Sequence, residues 1–286
     1  MNLCDRETLR ALLERHGFHF SKSMGQNFLI DPEIPRRIAE ASGADKSCGV
    51  LEIGPGVGVL TRELAARAGK VAAVELDRSL LPVLAETLAD CPNAEVVPGD
   101  ALRLDLGALA AEKFQGLRPV VCANLPYNIT TPVLTRLTET PCFGEITVMV
   151  QREVAQRICA KPGTEPYGAF TLLVQWFTRP EILFDIPPDC FEPQPKVMSS
   201  AISLVRREAP PASCDERLFF AVVRSAFAQR RKKLSNALSA GAASALPKEE
   251  VADALEKCGV GAGVRGETLG IPEFAAIADE LRGRGL

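Results

Sequence analysis

At 286 residues, with 47% hydrophobic and 24% charged side chains, the chain has a soluble globular composition and room for one substantial domain plus a smaller one. No stretch approaches the roughly 20 uninterrupted apolar residues of a membrane span, and segment 1–18 mixes acids and bases with no secretory apolar core, so a cytoplasmic protein with no membrane partner is expected. The net charge of −3 hides an asymmetry: residues 206–233 hold eight Lys/Arg against three Asp/Glu, a net of +5, which leaves −8 for the remainder and marks a local footprint for a polyanion.

In chain order, Asp31-Pro32 reads as an N-cap followed by proline at the first helical position, so a helix precedes the first strand. Apolar runs at 50–53, 71–76, 94–99, 119–124, 146–150, 181–186 and 199–205 read as seven strands, with helix-like stretches such as 60–69 and 78–89 between them. Thr131-Pro132 repeats the helix-start signal after the fourth strand. Such alternation predicts a mostly parallel sheet with helices on both faces and ligands beyond the carboxyl ends of the strands. After about residue 205 the pattern changes. The Pro-containing stretch 207–213 reads as a linker, and 216–240, 247–259 and 272–282 read as helices only. The expected organisation is therefore an α/β domain over 1–205, with an N-terminal arm over 1–30, and a small all-α domain over 206–286 that carries the basic segment.

The first strand runs into Glu52-Ile53-Gly54-Pro55-Gly56-Val57-Gly58. A glycine-rich strand-to-helix turn lets backbone approach a nucleoside closely. The spacing G-x-G-x-G, with an acid just before it, favours S-adenosylmethionine over a dinucleotide, because Glu52 repels a pyrophosphate and attracts a cationic amino-acid moiety. Glu75, about 20 residues on at the second strand's end, is placed to accept from ribose hydroxyls, with Asp77 a weaker candidate. Asp100, after the third strand, is placed to read the cofactor's adenine amine.

Asn124-Leu125-Pro126-Tyr127 follows the fourth strand, on the same rim. An exocyclic adenine amine is a poor nucleophile because its lone pair is delocalised into the ring. Two acceptors gripping its N–H hydrogens, the Asn124 side-chain oxygen and the Leu125 carbonyl, free that lone pair. Pro126 holds Leu125 extended, and Tyr127 offers a stacking face worth roughly 1–3 kcal/mol. The only histidines are His16 and His19, so the chemistry runs without an imidazole base. The nine cysteines, odd in number and without a CxxC pair, read as reduced thiols, and no metal site is expected.

At these residues the chain resembles the ribosomal RNA adenine N6-dimethyltransferases, and among them those acting on the small subunit. The likeness starts at 22–29, continues through the glycine turn, 74–77, 99–102 and 124–134, and includes 151–157, 191–201, 226–238 and 265–274. It implies a Rossmann-like class I methyltransferase fold. Gln26, Asn27 and Leu29 are then expected to contact S-adenosylmethionine together with Glu52, Gly54, Gly56, Glu75, Asp100 and Asn124. The flipped adenine is expected to stack between Tyr127 and Phe191. The resemblance also implies a substrate of two adjacent adenines in the 3′-terminal hairpin loop of small-subunit rRNA, modified on an assembling 30S particle. Lys22, Arg224, Arg230, Arg231, Lys232 and Lys233 would then be phosphate contacts. Ser23 departs from the family's usual second basic or bulkier residue after Lys22. Two other readings stay open, a large-subunit rRNA dimethyltransferase and a largely non-catalytic RNA-binding assembly factor; an NAD-dependent dehydrogenase is disfavoured by the glycine spacing and Glu52. A monomer is expected.

Overall fold

The computed structural model describes residues 1–20, 25–229, 231–261 and 263–286. The chain folds as two compact units, Met1–Ala155 with Arg179–Arg206, and Gln156–Thr178 with Arg207–Leu286. The second unit takes in residues 156–178, which the sequence pattern groups with the first. Among the described residues no helix is long and apolar enough to cross a membrane.

The first unit opens with α1 (Arg6–Arg15), whose Asp5 cap accepts from the Thr8 amide at 2.8 Å, followed by β1 (Phe28–Leu29) and α2 (Glu33–Ala41). α2 starts one residue later than expected: Pro32 is its N-cap, and Asp31, just before it, accepts from the Glu33 amide through Oδ1 at 2.9 Å. Then come β2 (Cys48–Ile53), α3 (Val59–Arg67), β3 (Lys70–Glu75), a 3-10 turn Arg78–Leu80 running into α4 (Leu81–Thr87), and β4 (Ala94–Pro98). Next are α5 (Leu106–Lys113), β5 (Arg118–Asn124), a 3-10 turn Tyr127–Ile129, α6 (Thr130–Glu139), β6 (Glu145–Gln151) and α7 (Arg152–Ile158). The N-cap expected at Thr131 lies two residues earlier, at Ile129: Thr130 opens α6 and its hydroxyl donates to the Pro126 carbonyl at 3.0 Å, while Thr131 lies inside the helix. After α8 (Ala169–Phe177) come β7 (Thr178–Ile186), β8 (Phe191–Glu192) and β9 (Ser199–Arg206).

Seven strands at the expected places form one sheet in the order β4-β3-β2-β5-β6-β9-β7. β2 runs parallel to β3 and β5, β3 to β4 and β5 to β6, whereas β9 is antiparallel to β6. Every residue of β2 is buried, as a central parallel strand covered on both faces requires, which is why it reads as an apolar run. The order matters for function. The chain leaves β2 towards β3 and β4, then crosses back to β5, so strand order reverses between β2 and β5, and a crevice opens beyond their carboxyl ends.

The N-terminal arm is part of this unit. Leu9, Leu12 and Leu13 of α1 pack with Phe18, Phe28, Leu80 and Leu84, and β1 pairs antiparallel with β8 in the register Phe28↔Glu192, Leu29↔Phe191.

The second unit is built from α8, α9 (Glu216–Ala228), α10 (Leu234–Ser239), α11 (Lys248–Lys257) and α12 (Ile271–Gly283). Trp176 stacks on Phe219 with ring centroids 4.2 Å apart, and its indole N–H donates to Glu216 Oε2 at 2.9 Å. The buried Tyr167 hydroxyl donates to the Leu269 carbonyl at 2.8 Å. Each polar tip in this aromatic core is thereby satisfied.

Candidate active site

The crevice at the switch point is a cleft of about 1020 Å³, counting its open mouth. Its floor is the turn after β2. Gly54 sits at φ +70°, and a Cβ there would also lie 3.3 Å from the Pro126 ring. Gly56 sits at φ +60°, where a Cβ would press on the Phe28 ring at 3.0 Å. Both positive φ values and both close approaches demand glycine.

Four acids line the cleft, Glu52, Glu75, Asp77 and Asp100, with no Lys, Arg or His among the described lining residues. Glu52 is 1% exposed and its Oε2 has no hydrogen-bond partner among the described residues. Burial, reinforced by the neighbouring Glu75, pushes its carboxyl up to about 8, and burial likewise lifts Glu75 to about 7. Glu75 Oε1 accepts from the Asp77 amide at 2.7 Å. Asp77 is committed elsewhere, to the Ser79 amide at 3.0 Å and the Gln26 side chain at 2.9 Å. Asp100 turns its chain onto the Leu102 amide at 2.8 Å. A buried carboxyl with an orphaned oxygen, in an acid-lined crevice, fits a cation such as the sulfonium and ammonium of S-adenosylmethionine. A pyrophosphate does not fit.

The two carboxyls couple the cleft to pH. In the unfolded chain Glu52 ionises near 4.5, but folded and without a bound cation it keeps its proton up to about 8. Between these values the unfolded state binds fewer protons, so the stability this group contributes is complete below about 4.5 and is lost as pH rises through 8. Glu52→Gln is therefore expected to raise the melting temperature of the ligand-free protein by several degrees at pH 8 and hardly at pH 5. The same variant should lose most of the stabilisation that S-adenosylmethionine confers. Thermal melts at both pH values with and without cofactor check this, and an equal gain at both pH values would contradict it.

Asn124 ends β5 facing Met149 of β6, and its amide nitrogen donates to the Asn27 carbonyl in a long 3.4 Å bond. Its Oδ1 has no partner among the described residues. The Leu125 amide donates to the Met149 carbonyl at 3.1 Å, and Pro126 (φ −57°, ψ 131°) follows. The Leu125 carbonyl also accepts no hydrogen bond among the described residues, while the Pro126 carbonyl is held by the Ile129 amide at 3.2 Å and Thr130. Two oxygens without a partner among the described residues thus belong to residues that line the cleft, Asn124 partly exposed and Leu125 buried. Tyr127 is half-buried, and burial raises its phenol above the usual value, so the ring stays neutral.

The structure brings Gln26, Asn27, Leu29, Glu52, Gly54, Gly56, Glu75, Asp100, Asn124, Leu125, Pro126 and Tyr127 to one cleft. Phe191 is not among them. It is fully buried, packed with Leu29, Ile34 and Ile38, because pairing of β8 with β1 turns its ring into the core. In this structure it therefore offers no stacking face, contrary to the expectation from resemblance. Lys22 and Arg230 lie outside the described residues. Arg224, Arg231, Lys232 and Lys233 are exposed, the last three on the turn between α9 and α10, and none is paired with an acid among the described residues. Leu76 was missed: a large apolar side chain 51% exposed, it lines the cleft directly after Glu75. Its signal was an apolar residue following the acid at a strand end. Among the described residues no group of His, Cys, Asp or Glu could hold a metal ion.

This sheet order, together with the glycine floor and acid-lined cleft at the switch point, defines a class I S-adenosylmethionine-dependent methyltransferase. A family model described as ribosomal RNA adenine dimethylase matches residues 17–281. The chain is 46% identical over 280 residues to "Ribosomal RNA small subunit methyltransferase A" of Geobacillus thermodenitrificans, covering 95% of this chain and 94% of that one. It is 44% identical to the protein of the same name from Streptococcus gordonii, over the full length of both. Among solved structures it resembles a dimethyladenosine transferase from Plasmodium falciparum (TM-score 0.78, 25% identity, 91% of this chain and 98% of that one). It also resembles the 23S rRNA methyltransferase ErmE (TM-score 0.65, 28% identity, 90% of this chain and 100% of that one). The chain belongs to the ribosomal RNA adenine dimethylase family.

Proposed function

We propose that this protein dimethylates N6 of adenine in small-subunit rRNA, at the two adjacent adenines of the 3′-terminal hairpin loop, on assembling 30S particles in the cytoplasm. The observation that carries the reading is a pair of oxygens with no partner among the described residues, Asn124 Oδ1 and Leu125 O, of two residues that line an acid-lined cleft. S-adenosylmethionine, when bound, supplies an electrophilic methyl group on a cationic sulfur. Glu52, Glu75 and Asp100 would hold it, with Gln26, Asn27 and Leu29 closing the wall.

The chain's own residues then do the positioning. Asn124 Oδ1 and Leu125 O accept the two N–H hydrogens of the adenine amine and draw its lone pair out of conjugation. Pro126 fixes the direction of the Leu125 carbonyl, and Tyr127 stacks on the purine. Flipping the base out costs a few kcal/mol, which stacking and the two hydrogen bonds offset. The cleft provides no imidazole, and none is needed, because a methylated ammonium is acidic enough to release its proton to water. After one transfer the amine keeps one hydrogen and one acceptor still grips it, so the same pocket supports a second. The first unit is assigned to cofactor and base. The basic turn after α9 in the second unit is assigned to rRNA phosphates.

Relatives at 44–46% identity carry a small-subunit name, against 28% for the large-subunit enzyme, which favours the small subunit. Purified protein incubated with methyl-labelled S-adenosylmethionine should label unmodified 30S particles and leave 50S particles unlabelled. Label confined to 50S would establish the large-subunit reading instead, and label in neither would leave only a binding role.

A further inference from the structure

We infer that Ser199 is a positioning residue for methyl transfer, through its hydrogen bond to Tyr127. The inference rests on the reading of Tyr127 as the face on which the acceptor base stacks. Among the described residues lining the cleft the aromatic side chains are Phe28 and Tyr127, and Phe28 is buried. With Phe191 also in the core, Tyr127 is the aromatic with an open face, and base orientation falls on that ring.

The backbone under Tyr127 is a single 3-10 turn, which holds a side chain weakly. What fixes the ring is its far end. The phenol oxygen lies 2.6 Å from Ser199 Oγ, and Ser199 is fully buried as the first residue of β9. Ser199 faces Gln151 in the β6–β9 ladder, and the same β6 faces Asn124 across Met149. One rigid sheet therefore sets both the acceptor amide and the hydroxyl that aims the ring. Burial raises the Tyr127 phenol above its usual value, so the neutral hydroxyl keeps this bond. No proton transfer is involved. Ser199 touches neither base nor cofactor and acts only by ordering Tyr127.

The test is a double-mutant cycle read by single-turnover methyl transfer. Ser199→Ala and Tyr127→Phe should each slow the transfer about fivefold to tenfold, the loss of one hydrogen bond. S-adenosylmethionine Kd and rRNA affinity should stay within about twofold. The double variant should be no slower than either single, because both remove the same bond. Wild-type rates in both single variants, or losses that multiply in the double variant, overturn the inference. If Ser199→Ala does not fold, Tyr127→Phe decides by itself, since it keeps the ring and loses only the hydroxyl. A wild-type protein inactive on rRNA would instead refute the proposed function; an active wild type with unaffected variants refutes only the role of Ser199.

Discussion

Asn124→Ala should slow methyl transfer at least about 100-fold while leaving rRNA affinity within about twofold, as expected for losing one preorganised group that acts on the reacting nitrogen. Asn124 ends a buried strand, so its amide oxygen is held in place before the base arrives, and its loss leaves the adenine amine conjugated and unreactive. The alanine also removes the long 3.4 Å bond to the Asn27 carbonyl, so cofactor affinity should weaken modestly, by a few-fold. Rapid-quench measurement of methyl transfer, alongside filter binding of the same rRNA, separates the two effects. Equal losses in rate and in RNA affinity would mean that Asn124 holds RNA rather than activating the amine.

The opposite pattern is expected for the basic turn. Changing Arg224, Arg231, Lys232 and Lys233 together to glutamine should cut rRNA affinity about 100-fold near physiological salt. It should also reduce the slope of log K against log salt by roughly 3, at about 0.7–0.9 per phosphate contact. These side chains are exposed and, among the described residues, have no acidic partner, so their charge is available to a polyanion. Folding stability should hardly move, because exposed cations without buried contacts contribute within about 0.5 kcal/mol. Cofactor affinity should be unchanged. An unaltered salt slope would make the run a solvated surface feature with no part in substrate binding.

The sheet was legible because buried parallel strands leave continuous apolar runs: all six residues of β2 are buried, and the strand reads as 50–53 from sequence and Cys48–Ile53 in the structure. The cleft was legible for a related reason. A parallel sheet sends each strand's carboxyl end to one rim, so an acid, a glycine turn and Asn124 at successive strand ends must meet. Phe191 was not legible. By composition such an aromatic is more often core, its proline-bracketed loop and the family resemblance pointed to a stacking platform, and its pairing opposite Leu29 decides for the core. The excursion of 156–178 into the second unit was hidden for another reason. Its apolar helix α8 has the composition of any buried helix and carries no mark of the unit it packs into. Ser199 was invisible because its importance lies in one hydrogen bond, which leaves no periodic trace.

Nucleoside mass spectrometry tests the central claim most directly. Unmodified 30S particles treated with the protein and S-adenosylmethionine, then digested to nucleosides, should yield N6,N6-dimethyladenosine, and Asn124→Ala protein should yield almost none. Methyl groups on another base, on a ring nitrogen or on ribose, or undiminished dimethyladenosine from the variant, would contradict a pocket in which Asn124 and Leu125 present the adenine amine to the methyl donor.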